Sequence, residues 1–160
     1  MPLIIPRFTL PTCVAKVARH LPQWPHAVVL CLALNLARHL GALPVDDLAA
    51  LEGKRFCVEV EDAGSLAHFS FRHGRFTPDL GTPPPDLRFR ARLSAYLQLL
   101  NRQEDPDTLF FQRALVIEGD TELGLRVKNM LDAVDWSGVF GRLPGPVQRV
   151  SDVDSTGFRA

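Results

Sequence analysis

The sequence predicts an α+β domain: a five-stranded, mostly antiparallel sheet with helices covering one face. Three observations predict it. Apolar side chains fall at every second position through much of residues 55–93, the period of a half-buried strand. Residues 27–40 are apolar almost throughout, and 120–134 carry apolar residues at three-to-four spacing, both helical signatures. Clusters of Gly, Pro, Asp and Ser separate the two kinds of pattern. Alternating strands are wet on one face, so the helices must cover the other.

The elements follow in order. Residues 1–25 hold Pro2, Pro6, Pro11, Pro22 and Pro25 and read as an N-terminal arm. A short helix capped by Thr12 is expected from Thr12 to Leu21. The arm either packs on the domain or contacts a membrane surface through Leu3, Ile4, Ile5, Phe8 and Trp24, with Arg7, Lys16 and Arg19 as cations beside them. Residues 27–40, AVVLCLALNLARHL, are too short to span a bilayer, which takes about 20 apolar residues, so this is a core or interfacial helix interrupted by Asn35. Gly41 ends it, and Asp46–Leu51 forms another short helix ended by Gly53.

Strands follow at Arg55–Glu61, Ala67–Arg72, Arg75–Leu80 and Leu87–Leu93, broken by turns at 62–65 and 73–74 and by the proline run 83–85. Arg88, Arg90 and Arg92 make a cationic row on the wet face. It reads as a solvated face, with lipid headgroups or a protein partner as the alternatives. Ser94 caps a helix to about Arg102, with Leu97 and Leu100 on one side. Asp105-Pro106-Asp107-Thr108 is turn or helix-start chemistry ahead of Leu109-Phe110-Phe111, three bulky apolar residues that call for a large apolar partner. Ala114–Ile117 is a fifth, buried strand. Asp120 or Thr121 caps a helix whose Leu123, Val127, Met130, Leu131 and Val134 share one face. Val139, Phe140 and Leu143 are placed to close over an opening. The domain proper is expected over 26–145, with a flexible tail at 146–160.

Composition narrows the function classes. A chain of 160 residues, 46% hydrophobic, suits one domain with an ample core. Zero net charge argues against a general nucleic-acid binder. Cys13, Cys31 and Cys57 are an odd, scattered set, which fits a reducing cytoplasm better than a disulfide framework. The start, MPLIIPRFTLP, does not read as a secretory leader.

Catalytic and metal chemistry find no constellation. His68 and His73 are an odd number of residues apart along one strand region and point to opposite faces, so they cannot share a metal. No H-E-x-x-H, G-x-S-x-G or phosphate loop occurs. Gly119–Gly124 precedes a helix, but its acids would repel phosphate. No catalytic residue, metal or cofactor is therefore assigned. A small hydrolase or isomerase using an isolated His or Asp ranks last.

The unusual feature is ten phenylalanines against one tyrosine, aromatic volume without hydroxyls to satisfy. On composition alone a filled core is favoured; the functional alternative is an apolar tunnel between sheet and helices. At roughly 24 cal/mol per Å³, an empty void of about 500 Å³ would cost on the order of 10 kcal/mol. That is comparable to the whole stability of a domain. Such a tunnel must be lipid-filled or partly collapsed.

Residues 105–134, with DPDTLFF, then IEGDTELG and VKNMLDA, resemble the sterol-carrier-protein type of lipid-binding domain. Within that type they are most similar to the UbiT group, bacterial accessory factors of oxygen-independent ubiquinone biosynthesis. The resemblance implies the sterol carrier protein fold with an apolar tunnel, and a non-catalytic protein that holds polyprenylated ubiquinone precursors and phospholipids. It also implies hydroxylation partners of the UbiU and UbiV type, which would supply the iron–sulfur redox chemistry. The implied place is the cytoplasm, with peripheral contact at the inner membrane and a homodimer both left open. The strand and helix faces that should converge on a tunnel carry Phe69, Phe71, Phe89, Leu97, Leu100, Phe110, Phe111, Ile117, Leu123, Val127, Met130 and Leu131. The competing expectation is a structural or interaction module with a solid core that scaffolds partners or contacts membrane without carrying lipid.

Overall fold

A computed structural model describes residues 4–22, 24–81 and 84–134. Its elements run α1 (Thr12–His20), α2 (Trp24–His39), α3 (Val45–Ala49), β1 (Arg55–Val60), β2 (Ser65–Arg72), β3 (Arg75–Pro78), β4 (Leu87–Ala91), α4 (Leu93–Leu100), α5 (Pro106–Phe111), β5 (Leu115–Gly119) and α6 (Thr121–Ala133). The α+β architecture expected from the alternation is present, with five strands in the order β3-β2-β1-β4-β5. All neighbours are antiparallel except β1 and β4. That parallel pair follows from topology. β3 lies at one edge, so the chain must return across β2 and β1 to place β4, and the proline-rich connection after Asp79 makes that return.

Register puts Phe56, Phe69, Phe71, Phe76, Leu87, Phe89 and Leu115 on the covered face, and all are buried. The rings of Phe56 and Phe69 stack at 5.4 Å, and Phe76 meets Phe71 at 4.8 Å and Phe69 at 6.1 Å. Four of the phenylalanines thus pack ring against ring in the β1–β3 half of the core. α2 lies over β2 and β3, while α5 and α6 lie against β5.

Asn35 explains its own presence in an apolar helix. Its Nδ2 donates to the Phe76 carbonyl at 2.7 Å, and the Phe76 amide donates to its Oδ1 at 2.9 Å. Phe76 lies on the edge strand β3, so one amide side chain supplies both bonds that a neighbouring strand would have made.

Several boundaries differ from the expectation for local reasons. α1 begins after Pro11, not under a Thr12 cap, and no side chain caps it. Arg92, not Ser94, occupies the cap position of α4. Ser94 is inside the helix and buried with Ala95, Gln98 and Leu99, leaving Leu97 and Leu100 half-buried. A buried glutamine is not visible to an apolar pattern; here Gln98 is satisfied by donating to the Ile5 carbonyl at 2.9 Å. β5 starts one residue late and runs on to Gly119. The face expected to be wet holds two fully shielded small residues, Cys57 and Ser70. Cys57 stands opposite His68 on β2 and Arg88 on β4, whose longer side chains close over it.

Asp120 caps α6 as its chemistry requires, accepting from the Glu122 and Leu123 amides at 3.0 and 3.1 Å. Asp105 caps α5 in the same way, with Pro106 in the first turn. The start of the described chain is tied to the domain. The Ile5 amide donates to Gln103 at 2.7 Å, and Asp62 accepts from both Leu10 and Leu93. Residues 135–160, which include the expected closing segment around Phe140 and the expected tail, lie outside the described residues, as does Leu3.

Candidate lipid-binding cleft

A cleft of about 370 Å³ opens between the end of β5 and helices α5 and α6. Its apolar wall is built by Leu87 of β4, Ile117 of β5, Phe110 of α5 and Leu125 of α6. Its polar lining is Asp120 and Thr121 at the start of α6 and Lys128 two turns further along that helix. Two glycines shape it, Gly124 at the wall and Gly119 in the turn against β4. Gly124 lies in the interior of α6, where glycine costs about 1 kcal/mol relative to alanine. A Cβ there would already touch Ile117 and Leu87, each at 3.4 Å. Gly119 has φ +121, and a Cβ there would collide with the Asp86 carbonyl oxygen. That carbonyl accepts from the Asp120 amide at 2.9 Å, which fixes the turn from β5 into α6.

At the mouth, Lys128 of α6 pairs with Asp107 of α5 at 2.5 Å. Phe110 is 45% exposed and Phe111 80% exposed, their rings edge-to-face at 6.1 Å. Leu109, the first of that apolar triplet, is the one that is fully buried. A six-residue helix cannot turn three successive side chains toward one core.

Of the twelve residues singled out from the sequence, Phe110 and Ile117 line this cleft. Phe69, Phe71, Phe89, Leu123, Val127 and Met130 are buried in the common core, and Leu100 and Leu131 pack against it. Leu97 is half-buried and Phe111 faces solvent. The apolar period did not reveal Leu87, Leu125, Lys128 or the glycines as liners. The one available signal was Gly124, a residue with no reason to interrupt a helix unless something must approach closely. Among the expected membrane-contact residues, Ile4 and Trp24 are 77% and 57% exposed, while Ile5 and Phe8 are half-buried.

The arginine row has structural partners, Arg92 donating to the Thr9 hydroxyl at 3.4 Å. Arg90 pairs with Glu61 at 3.6 Å and Glu118 at 2.8 Å, and Arg88 reaches Glu59 at 4.0 Å. The arginine row is therefore largely neutralised by carboxylates on β1 and β5. Burial pushes the Cys31 thiol up to about 11. It also raises Cys57, against a downward pull from the Arg88 guanidinium. Burial raises Tyr96, whose hydroxyl donates to the Glu59 carbonyl at 3.0 Å. None of the three lines the cleft. No group of three or more metal-ligating side chains occurs among the described residues. The arrangement can hold an apolar chain along Leu87, Phe110, Ile117 and Leu125, with polar groups at the start of α6 and at Lys128.

Residues 36–132 match the model of the SCP-2 sterol transfer family, more than half of the chain. The chain belongs to that family. At the level of sequence the family member is 44% identical over 94 residues to "Ubiquinone biosynthesis accessory factor UbiT" of Escherichia coli K12, covering 59% of this chain and 53% of that protein. The UbiT of Escherichia coli O157:H7 matches to the same extent. The family member thus spans about half the length of the curated relatives it matches. In structure it is similar to "UbiJ-SCP2 Ubiquinone synthesis protein", with a TM-score of 0.54 and 17% identity over 69% of this chain and 100% of that one. That likeness shows the sterol carrier fold.

Proposed function

We propose that this SCP-2 family member is a non-catalytic, cytoplasmic accessory factor of ubiquinone biosynthesis. In this reading it holds polyprenylated ubiquinone precursors, and phospholipids as competing cargo, for hydroxylating partners of the UbiU and UbiV type. The pathway would be the oxygen-independent one implied by the resemblance to UbiT. The carrying observation is the cleft walled by Leu87, Phe110, Ile117 and Leu125, kept open by Gly124. Its volume of about 370 Å³ falls within the ~300–1,000 Å³ range of ligand pockets.

Each buried methylene-sized group contributes about 0.8 kcal/mol. Micromolar affinity is about 8.2 kcal/mol, so two to three isoprene units supply it in gross terms and association costs call for a few more. The polar lining reads little of a headgroup beyond its reach to Lys128, so a range of chain lipids is expected to compete.

A second reading has an observation of its own. The Phe56, Phe69, Phe71 and Phe76 rings pack on one another with centroids 4.8, 5.4 and 6.1 Å apart. That is what an interaction module with a solid core would need. Gly124→Leu separates the two. The new side chain projects from a Cβ already at 3.4 Å from the cleft wall, while leucine favours the helix by about 0.8 kcal/mol. Uptake of an added polyprenyl quinone should fall at least about tenfold with folding retained. Unchanged uptake would remove the cleft from the account.

A further inference from the structure

β3 and β5 are the two edges of the sheet, and the chain treats them differently. An edge strand presents a row of backbone N–H and C=O groups that a further strand would satisfy. On β3 the Phe76 amide and carbonyl are both bonded to Asn35. Pro78, two residues on and facing the same way, has no N–H to offer. β5, Leu115–Gly119, carries neither device: it holds no proline or lysine, and no side chain takes up its outer edge among the described residues.

Two backbone bonds show which groups of β5 face outward. The Glu61 amide donates to the Ala91 carbonyl at 2.9 Å, so Ala91 turns its backbone toward β1. By the alternation of an antiparallel ladder, Arg90 and Arg88 turn theirs toward β5, where they stand opposite Val116 and Glu118. The Asp120 amide, bonded to the Asp86 carbonyl at 2.9 Å, continues the same alternation. Leu115, Ile117 and Gly119 therefore point their N–H and C=O groups away from β4. None of these groups has a hydrogen-bond partner among the described residues.

The strand is also matched to itself. A two-fold axis at Ile117, its central residue, sets Ile117 opposite Ile117 of a second copy and Leu115 opposite Gly119, so that outward groups meet outward groups. On the wet face Val116 then lies opposite Glu118 on both sides of the axis, and no two like charges face each other. Glu118 is already balanced by Arg90 of its own chain at 2.8 Å, so the seam encloses no unpaired carboxylate. On the covered face the two Ile117 side chains, each a wall of its own cleft, stand side by side. We propose that β5 is the seam of a homodimer, pairing antiparallel with β5 of a second copy about Ile117 and joining the two sheets into one. The seam does not depend on what the cleft holds, and its test reads no lipid.

The test is light scattering of the full chain over a dilution series, with hydrogen exchange of the Ile117 amide followed by NMR on the same samples. The expected mass at the concentrated end is twice 17.8 kDa, with Ile117 protection that rises with concentration. Val116 is half-buried on the wet face opposite Arg90, so a carboxylate placed there suits its own chain and alters the seam. Val116→Glu sets like charges opposite each other twice per dimer and should raise the dissociation constant about tenfold. Val116→Lys sets opposite charges there and should lower it about threefold, a gain lost at about 1 M salt. A general loss of structure would not move one position's two variants in opposite directions. If the lysine folds poorly beside Arg90, the glutamate variant and the wild-type exchange decide the matter. The proposal is overturned if the chain is monomeric at every concentration; an Ile117 amide protected in that monomer would give the edge to another segment of the same chain. It is also overturned by a dimer that Val116→Glu leaves unchanged, since a different surface would then join the copies.

Discussion

Replacing Asn35 by Leu tests the edge arrangement on which the α2–β3 packing depends. The change keeps the branching and heavy-atom count of the side chain, though leucine is bulkier, and would suit an otherwise apolar helix by propensity. It removes both the 2.7 Å bond to the Phe76 carbonyl and the 2.9 Å bond from the Phe76 amide. A buried backbone group left without a partner costs about 1–3 kcal/mol. Two are stranded here, but both bonds are only part-buried, so water can recover some of the loss, and the new leucine gains some burial. The net expectation is about 2 kcal/mol of destabilisation. For a chain of this length that corresponds to a fall in Tm of roughly 4–8 °C. Urea unfolding should show a lower midpoint at unchanged slope. Asn35→Ala should lose at least as much, and Asn35→Asp should lose stability too, because a carboxylate then faces the Phe76 carbonyl. A leucine variant as stable as the wild type would show that the edge strand is satisfied without Asn35, and the reasoning would fail.

Two further predictions rest on the β5–α6 turn and on α5. Gly119→Ala requires φ +121 of a residue with a Cβ and drives that Cβ into the Asp86 carbonyl oxygen; a loss of about 3 kcal/mol or more is expected by urea unfolding, and a near-neutral result would contradict the turn geometry. The Thr108 hydroxyl and amide donate to the Asp105 carboxylate at 2.6 and 2.8 Å, holding its carboxyl below the usual aspartate range. A carboxyl lowered on folding stabilises above its unfolded pKa of about 3.9, and that stabilisation is lost as pH falls through the lower folded value. Asp105→Asn should therefore flatten the acid-side loss of order in α5, followed by the Thr108 amide signal in an NMR titration. An identical acid limb in both proteins would sink the assignment.

Much of the architecture was legible because it rests on local chemistry. Asp120 and Asp105 are caps wherever a helix follows them, and the alternation at Phe69, Phe71, Leu87 and Phe89 admits one buried face. Three features were not legible, each for a physical reason. Asn35 looks like an interruption until β3 is known to be an edge strand, which is a property of strand order and not of the helix. Gln98 is buried because Ile5, more than 90 residues away in sequence, supplies its partner. The cleft escaped because its walls come from Leu87, Ile117 and Leu125, on three elements whose approach is set by what Gly124 and Gly119 lack. Phe111 shows the reverse case, a large apolar residue that the short helix α5 turns outward.

The central claim is that an apolar chain occupies the space between β5 and α6, and native mass spectrometry of protein purified without detergent tests it most directly, with organic extraction of the same sample. The account predicts one polyprenyl phenol, quinone or phospholipid per chain, or stoichiometric uptake of added polyprenyl quinone that Gly124→Leu abolishes. A bare mass that stays bare after the quinone is added would contradict it and leave the solid-core interaction module as the reading of this fold.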